Sequence, residues 1–461
     1  MEKKITRRDF LKVAGTSSLA LGAVAATGCS LKKSDNAQAA LDVEGGKMEY
    51  RTNSKNGDKV SLLGFGCMRW PMIPGKNGEK DKIDQDAVNK LVDFAYKHGV
   101  NYYDTSPAYL QGQSETAAGI ALSRYPRKSY YLATKLSNFN AWDKDTSIKM
   151  YHDSFEQLKT DYFDYYLLHA IGGGGVDVFN KRYVENGLMD FLMKEREAGR
   201  IRNLGFSFHG TQDAFDYFIA QNDKYHWDFV QIEMNYFDWQ HAKAPDNVNA
   251  DYLYEQIDKL GLPIVVMEPL LGGRLVNVPA NVADRLKERE PQNSIASWAF
   301  RFVGSYPRVL TALSGMESMG PLEDNLNTFR HFKPLNADEI KLLKDLADLM
   351  DKNPTIPCNY CKYCMPCPYG VNIPEIFKHY NRAINEGFKA ESKEQADYQK
   401  LRRKYLISYD RAIESLRQAN HCIGCHQCEP HCPQTIKIPT ELKRIDNYIE
   451  KLKRDTLEAE Q

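Results

Sequence analysis

Between Met48 and Phe332, short runs of β-forming residues alternate with longer amphipathic runs. Eight such pairs in one stretch predict a (β/α)8 barrel, in which each parallel strand is followed by a helix on the outside. A doubly wound open sheet is the alternative, but Gly64-Phe65-Gly66 lacks the third glycine of a dinucleotide-binding turn. The predicted strands are Val60–Gly66, Asn101–Asp104, Tyr130–Thr134, Tyr165–His169, Asn203–Ser207, Phe229–Glu233, Pro263–Met267 and Val309–Ser314.

The amphipathic runs predict eight helices on the outer face of this barrel. We expect the whole barrel domain to occupy residues 48–334. A β-hairpin over Met48–Lys59 should cover the bottom of the barrel, because Asn56-Gly57 is a favoured hairpin turn. The predicted helices are Gln85–His98, Glu115–Leu122, Ser147–Leu158, Tyr183–Ala198, Gln212–Ala220, Asp251–Leu260, Ile295–Val303 and Leu322–Phe329.

The length and the net charge of the chain indicate how many domains it has and which partners are not expected. A chain of 461 residues is too long for one compact core, so two or three domains are expected. Lys plus Arg and Asp plus Glu both number 61, which makes the net charge zero. Nucleic-acid-binding domains normally carry a basic excess or stripe, so nucleic acid is not an expected partner.

The first residues resemble an export signal. Thr6-Arg7-Arg8-Asp9-Phe10-Leu11-Lys12, followed by a mildly apolar run over Val13–Thr27, is similar to a bacterial twin-arginine signal. A disordered basic tail is the alternative. The run is too short and too polar to span a membrane. That export route carries folded proteins with their cofactors already inserted, so a periplasmic location is expected.

Residues 1–29 form the predicted signal peptide and residues 30–47 a polar linker. Ala26-Thr27-Gly28-Cys29 resembles a lipoprotein cleavage box, although Ala26 stands where leucine is usual. Two outcomes stay open: Cys29 is lipidated and anchors the protein to the membrane, or the signal is simply cleaved.

Polar side chains stand at the ends of three successive predicted strands: Asp104, Lys135 and His169. Tyr109 lies in the loop that leaves the first of them. Barrel chemistry takes place at the C-terminal ends of strands, so these four residues predict a proton-transfer site. A lysine should lower the high pKa of the phenol, a carboxylate should hold that lysine, and an imidazole should position a carbonyl. Each residue taken singly has an alternative role. Asp104 could be a helix cap and Lys135 a surface charge. His169 could be a core residue and Tyr109 a packing aromatic.

The segments around these residues resemble the aldo/keto reductase family, and the likeness extends from Met48 to Phe332. The matching segments are Gly99–Tyr109 (GVNYYDTSPAY), Leu132–Lys135 (LATK), Tyr166–His169 (YLLH), Ile201–Ser207 (IRNLGFS), Val230–Glu233 (VQIE) and Glu268–Leu270 (EPL). The resemblance implies Tyr109 as general acid, Lys135 and Asp104 as the pair that tunes it, and His169 as the residue that orients the carbonyl. It also implies hydride transfer between a nicotinamide cofactor, NAD(P), and a carbonyl or alcohol substrate.

The same resemblance implies the cofactor contacts. Ser207 and Gln231 would hold the nicotinamide. Two neighbouring positions depart from the usual pattern: Phe208 replaces a common asparagine, and Met267 replaces an aromatic that often stacks on the ring. The pyrophosphate would lie along Pro269, Leu270 and Gly272, and the adenosine near Gly315, Met316 and Asn325.

Eight of the ten cysteines lie between Cys358 and Cys432, at spacings typical of metal ligands rather than disulfides. Residues 335–350 form a predicted helical connector, and residues 351–461 the domain that contains these cysteines. The second run has the C-x2-C-x2-C-x3-C-P spacing of ferredoxins that hold two [4Fe–4S] clusters, in which the fourth cysteine binds the other cluster. The predicted ligand sets are Cys358, Cys361, Cys364 and Cys432 for one cluster, and Cys422, Cys425, Cys428 and Cys367 for the other.

A pair of four-cysteine zinc sites is the alternative, but zinc motifs usually split into two distant cysteine pairs. A subgroup of aldo/keto reductases carries a C-terminal dicluster ferredoxin-like extension, and the chain after its signal resembles that subgroup. Three hypotheses follow. The clusters exchange electrons with a partner, such as a flavoprotein or quinone-linked carrier; the clusters of an active reductase are structural or sensory; or the barrel is inactive and the protein only transfers electrons.

Overall fold

The computed structural model describes residues 46–75, 80–242 and 247–459, with side chains of the last helix up to residue 455. The predicted signal peptide with Cys29, and all but the end of the predicted linker, lie outside the described residues. Within these ranges, every helix is too short or too polar to cross a lipid bilayer.

Eight parallel strands close into a barrel in chain order, and the last strand pairs with the first. The prediction of a (β/α)8 barrel is confirmed, and the open-sheet alternative is wrong. The third, fourth and fifth strands extend one or two residues beyond their predicted C-terminal ends, and the first is shorter because Lys59–Ser61 pairs with the preceding hairpin strand instead. The barrel strands are Leu63–Gly66, Tyr102–Asp104, Tyr131–Leu136, Phe163–Ile171, Ile201–Phe208, Phe229–Glu233, Ile264–Met267 and Val309–Ser314.

A helix follows every barrel strand, as predicted. The main outer helices are Gln85–Lys97, Ser114–Leu122, Lys144–Leu158, Leu188–Glu197, Gln212–Ala220, Ala250–Lys259, Ile295–Gly304 and Met319–Arg330. Further helical segments in the loops were not predicted: Gly175–Phe179, a π-turn at Asn180–Val184, Asn222–Tyr225, Asp238–His241 and Ala280–Arg289. The fourth outer helix therefore begins later than the predicted Tyr183.

Polar side chains cap the N-termini of several helices. Asp143 accepts a hydrogen bond from the backbone N–H of Thr146 (2.8 Å), and Ser294 accepts one from Ser297 (3.1 Å). Each bond satisfies an N–H group that the first turn of a helix leaves without a partner. Asn336 and Glu339 form a capping box that starts the connector helix, Ala337–Asp351.

The hairpin Tyr50–Thr52 and Lys59–Ser61 covers the end of the barrel opposite the strand C-termini. Its Val60 packs with Tyr102, Tyr165 and Phe229, side chains that fill the barrel interior. Asn53 donates to the Tyr165 hydroxyl (3.1 Å) and so fastens the hairpin to the interior. A second small ladder joins Met72–Ile73 to Lys82–Ile83.

The cysteine-containing domain is helical, with a core of its own. Its helices are Ile373–Asn385, Tyr398–Ala412 and Ile438–Ala459. They bury an apolar cluster that includes Phe377 and Tyr405, and most of the motif cysteines pack against this cluster. The fold thus consists of a barrel followed by a smaller α-helical domain.

This second domain packs against the barrel at Gly272, in the loop after the seventh strand. A Cβ atom added at Gly272 would lie 2.0 Å from the carbonyl oxygen of Asn359, so only glycine fits there. Arg69 Nη2, from the loop after the first barrel strand, donates to the same carbonyl oxygen (2.8 Å). The cysteine loops therefore lie over the C-terminal ends of the barrel strands.

Candidate active site and cluster sites

The barrel brings Asp104 and Lys135 together, because both lie at the C-terminal ends of neighbouring strands. The Lys135 ammonium forms a short ion pair with Asp104, and both side chains are buried. Lys135 also donates to the backbone carbonyl of Thr105 (2.8 Å). Burial raises the pKa of Asp104 and the lysine lowers it, with burial the larger effect.

Tyr109 is held beside this pair by an unusual turn. It begins a 3-10 turn in which Leu110 and Gln111 both have positive φ, 50° and 57°. Such backbone is strained for residues other than glycine and is common at functional sites. The Lys135 ammonium lies 4.9 Å from the centre of the Tyr109 ring, and the His169 ring meets that ring edge-on at 5.8 Å.

The pKa of Tyr109 differs from the expectation, in which Lys135 lowers it. Burial raises the pKa of Tyr109 well above its usual value, and the negative charge of Asp104 raises it further. The Lys135 ammonium lies over the Tyr109 ring, and its positive charge is compensated by Asp104. The phenol is therefore protonated near neutral pH, which suits a proton donor.

His169 ends the fourth strand and is fixed through one nitrogen. Its Nδ1 lies 2.6 Å from Ser137 Oγ and 3.2 Å from Ser106 Oγ. Burial lowers the pKa of His169 well below its usual value, so the imidazole is neutral at pH 7. Neither serine was predicted as a site residue, although Ser106 lies inside the GVNYYDTSPAY segment and Ser137 closely follows Lys135.

Four further aromatic residues follow strand ends near the site, and they differ in exposure. Trp70, Phe237 and Trp239 are buried in packing contacts. Trp142 is exposed and donates to the carbonyl oxygen of Phe139 (3.1 Å). Phe139 was not predicted, yet its ring lies 5.0 Å from that of His169 and is 38% exposed.

The residues proposed for nicotinamide lie at the ends of the fifth and sixth strands. Ser207 Oγ accepts a hydrogen bond from the backbone N–H of Ala170 (2.8 Å). Gln231 is buried, and its Oε1 has no hydrogen-bond partner among the described residues, so the site offers an acceptor to an amide group. Phe208 packs on Phe215 (4.9 Å) and adds no polar contact. A nicotinamide carboxamide fits this arrangement of donors and acceptors.

A cavity of about 420 Å³ continues outward from Glu268, within the size range of ligand sites. Pro269, Leu270, Gly272 and Gly315 line it, as proposed for the cofactor phosphates and adenosine. Two proposed adenosine contacts do not line it. Met316 is fully buried, and Asn325 donates to Ser314 Oγ (2.9 Å). The cavity also has a wall from the cysteine-containing domain, which includes Cys358.

The motif cysteines gather in two groups, each containing one residue from the other run. Burial raises the pKa of Cys364, and the nearby thiols of Cys361, Cys358, Cys432 and Cys428 raise it further, in that order. Burial also raises the pKa of Cys428 to about 11, with smaller increases from Cys422, Cys425 and Cys367. Apart from Cys428 beside Cys364, these are the neighbours that the two proposed ligand sets would bring together.

A second cavity, of about 300 Å³, is lined by Cys364 and the four cysteines of the second proposed set. The eight motif cysteines supply only sulfur donors, which suits iron–sulfur clusters. Within the described ranges, no three His, Cys, Asp or Glu side chains converge on a site for a single metal ion.

Comparison with protein families agrees with this division into two domains. The model of the aldo/keto reductase family matches residues 62–348, and the model of a 4Fe-4S dicluster domain matches residues 357–437. All eight motif cysteines lie within the second match. The C-terminal part of the chain is thus a 4Fe-4S dicluster domain, and the zinc alternative loses its basis.

Individual relatives match the barrel. L-galactose dehydrogenase from Arabidopsis thaliana is 24% identical over 311 residues, which cover 64% of this chain and 92% of the plant protein. The holo form of an aldo-keto reductase from Bacillus halodurans has a TM-score of 0.52 at 21% identity, covering 65% of this chain and 96% of that one. An aldo-keto reductase from Klebsiella pneumoniae, in complex with NADPH, has a TM-score of 0.51 at 19% identity, covering 68% and 98%. At such identities these structures support the fold alone.

Proposed function

Because this chain belongs to the aldo/keto reductase family, we propose that it transfers hydride between NAD(P) and a carbonyl or alcohol substrate. We propose further that the two clusters, at one electron each, would carry the two electrons of that hydride between the nicotinamide and a protein partner, while the proton would be exchanged with solvent. The observation that carries the proposal is that Tyr109, Lys135, Asp104 and His169 meet at the barrel mouth, beside a cavity lined by the proposed cluster ligand Cys358.

NAD(P) would supply or accept the hydride at its nicotinamide ring. The protein's own part is proton transfer and orientation. The Tyr109 hydroxyl donates its proton to the carbonyl oxygen on which negative charge develops, and takes the proton back in the oxidative direction. His169, neutral and held through Nδ1 by Ser137, presents its other nitrogen to the same oxygen. The Lys135–Asp104 pair contributes orientation and a nearby positive charge.

The proposed ligand sets put one cluster next to the cofactor cavity. Cys358 lines that cavity, and Glu268 is among the charged neighbours of Cys361. The second cluster, held by Cys422, Cys425, Cys428 and Cys367, would face the exposed Ile423, where a redox partner could dock. A flavoprotein or a quinone-linked carrier suits this role, because either can pass single electrons.

An exported location would explain why a reductase carries clusters. Outside the cytoplasm no pool of free NAD(P)H is renewed, so an enzyme that consumed soluble cofactor would stop after one turnover. We propose that the twin-arginine signal exports the folded protein with its nicotinamide bound, and that the clusters recycle the cofactor in place.

Protein purified from its native compartment is expected to retain nicotinamide and to turn over repeatedly with substrate and a one-electron dye. The retained cofactor is measured by mass spectrometry, and turnover by dye reduction without added NAD(P)H. The control is protein whose clusters have been removed by a chelator, which should stop after one turnover. Protein that emerges empty and works only with free cofactor would contradict the proposal. Dye reduction that does not depend on the clusters would favour a structural or sensory role for them.

The cofactor preference is expected to lean toward NADH. In the stretch Gly315–Pro321, after the last strand, the one charged residue is Glu317, which lines the adenosine end of the cavity. A carboxylate near the ribose suits a free hydroxyl and repels a 2′-phosphate. Steady-state kinetics with both cofactors provide the measurement. A preference for NADPH of about a hundredfold in kcat/KM, equal to about 2.7 kcal/mol, would rule out this role for Glu317.

A further inference from the structure

The cofactor cavity has two walls, from different domains. One wall is the barrel loop Glu268–Asn277 together with the loop after the eighth strand. The other is formed by Thr355, Cys358, Tyr360, Lys378 and Asn385. These residues lie outside the segment that matches the reductase family, which ends at residue 348. A reductase barrel without the dicluster domain would leave the cavity open on that side.

The segment Cys358–Tyr360 lies directly against the loop proposed to hold the pyrophosphate. Its Asn359 backbone approaches Gly272 so closely that a Cβ atom there would meet the Asn359 carbonyl carbon at 2.3 Å. Arg69 holds the same carbonyl from the barrel side. A nucleotide in the cavity would therefore lie between this segment and the barrel.

Three cations surround the Tyr360 ring, which lines the cavity. Lys378 Nζ lies 4.9 Å from the ring centre, Lys362 Nζ 5.0 Å and the Arg69 guanidinium 5.7 Å. The Tyr360 hydroxyl donates to Glu375, whose carboxylate also lies 3.9 Å from Lys378. This pairing positions the ring, while the Lys378 side chain is 65% exposed and keeps its ammonium accessible.

The other charged groups of the cavity are Arg274, Glu268 and Glu317. Asp238 is the opposite charge that acts most strongly on Arg274, and Arg69 is the opposite charge that acts most strongly on Glu268. Asn385 adds a buried Oδ1 without a hydrogen-bond partner among the described residues, an acceptor suited to a hydroxyl or amino group. The dicluster wall thus offers a cation, an aromatic ring and an acceptor, which together suit a phosphorylated nucleoside.

We propose that the dicluster domain completes the dinucleotide site, with Lys378 and Tyr360 contacting the phosphate and ribose groups that NADH and NADPH share. This inference rests on the proposed function, since it assigns the same cofactor. Lys378 pairs with phosphate charge, and the Tyr360 ring covers the adjoining sugar. Because Cys358 belongs to the same short segment, nucleotide contact and cluster ligation are coupled through three consecutive residues.

The test is the dissociation constant of each nucleotide, measured by titration calorimetry on the anaerobically purified full chain after bound nucleotide is removed. Lys378→Gln and Tyr360→Leu are expected to weaken binding of both NADH and NADPH by about fivefold or more. Lys378→Gln should also flatten the dependence of Kd on salt, because one charge contact is gone. The matched control is Lys341→Gln, an exposed lysine of the connector helix that pairs with Asp345.

Iron content and visible absorbance must equal those of the wild type, which shows that the variants keep their clusters and fold. Variants that bind both nucleotides within about twofold of the wild type would overturn the dicluster contribution and leave the proposed function intact. A wild-type protein that binds neither nucleotide would overturn both.

Discussion

Replacing Tyr109 with phenylalanine should lower kcat for carbonyl reduction by about 10²–10⁴-fold, the contribution of a positioned general acid. The substitution removes only the hydroxyl. The ring contacts with Lys135 and His169 can persist, so the Kd of the nucleotide should stay within about twofold of wild type. Single-turnover kinetics with saturating cofactor, under anaerobic conditions, measure the chemical change directly.

The matched control for this variant is Tyr130→Phe. Tyr130 is equally buried but lies just before the third strand, at the opposite end of the barrel from the active site. It should lose stability without losing the chemical rate. A Tyr109→Phe enzyme that keeps most of its kcat would remove Tyr109 from the mechanism.

The pH dependence follows from the direction of the Tyr109 pKa shift. Burial raises this pKa above its ordinary value, so the proton is present at neutral pH and is lost only as the pH rises through the raised pKa. The reduction rate should therefore stay level through neutrality and decline only above about pH 10, the ordinary tyrosine value. The decline should be absent in the residual activity of Tyr109→Phe.

The sequence predicted the barrel and the position of its site because both depend on local patterns. The alternation of β-type and amphipathic runs defines the strands. Asp104, Lys135 and His169 stand near the C-terminal ends of three successive strands, which lie side by side in a barrel. Tyr109 could be added because it lies in the first of these loops. The local sequence pattern was therefore enough to predict that these four side chains lie close together.

Other features could not be predicted, since they depend on packing between distant segments. The contact of Gly272 with Asn359 joins residues far apart in the sequence, and the local pattern around either residue does not point to the other. The raised pKa of Tyr109 reflects its burial and the pairing of Lys135 with Asp104, which only the folded chain reveals. Helix Ala280–Arg289 was missed because its exposed, charged face hid the buried Val282 and Leu286.

The cluster assignment makes the second large prediction. Anaerobically purified protein should contain about eight irons per chain, as two [4Fe–4S] clusters require. Cys367→Ala should lower this to about four, and the cluster lost should be the one held by the distant Cys422, Cys425 and Cys428. The matched control is Cys67→Ala, which removes a buried cysteine outside both runs and should leave the iron content unchanged.

Double variants identify which cluster Cys367 serves. If Cys367 and Cys422 bind the same cluster, the double alanine variant should contain as much iron as Cys367→Ala alone. The pair Cys367→Ala and Cys358→Ala should lose nearly all iron, because the two cysteines serve different clusters. The opposite pattern would show that each run binds its own cluster, and two zinc ions with no iron would refute both assignments. Because Cys358 lines the cofactor cavity whereas Cys367 lines the second, outer cavity, Cys367→Ala should also keep nucleotide binding while losing dye-linked turnover.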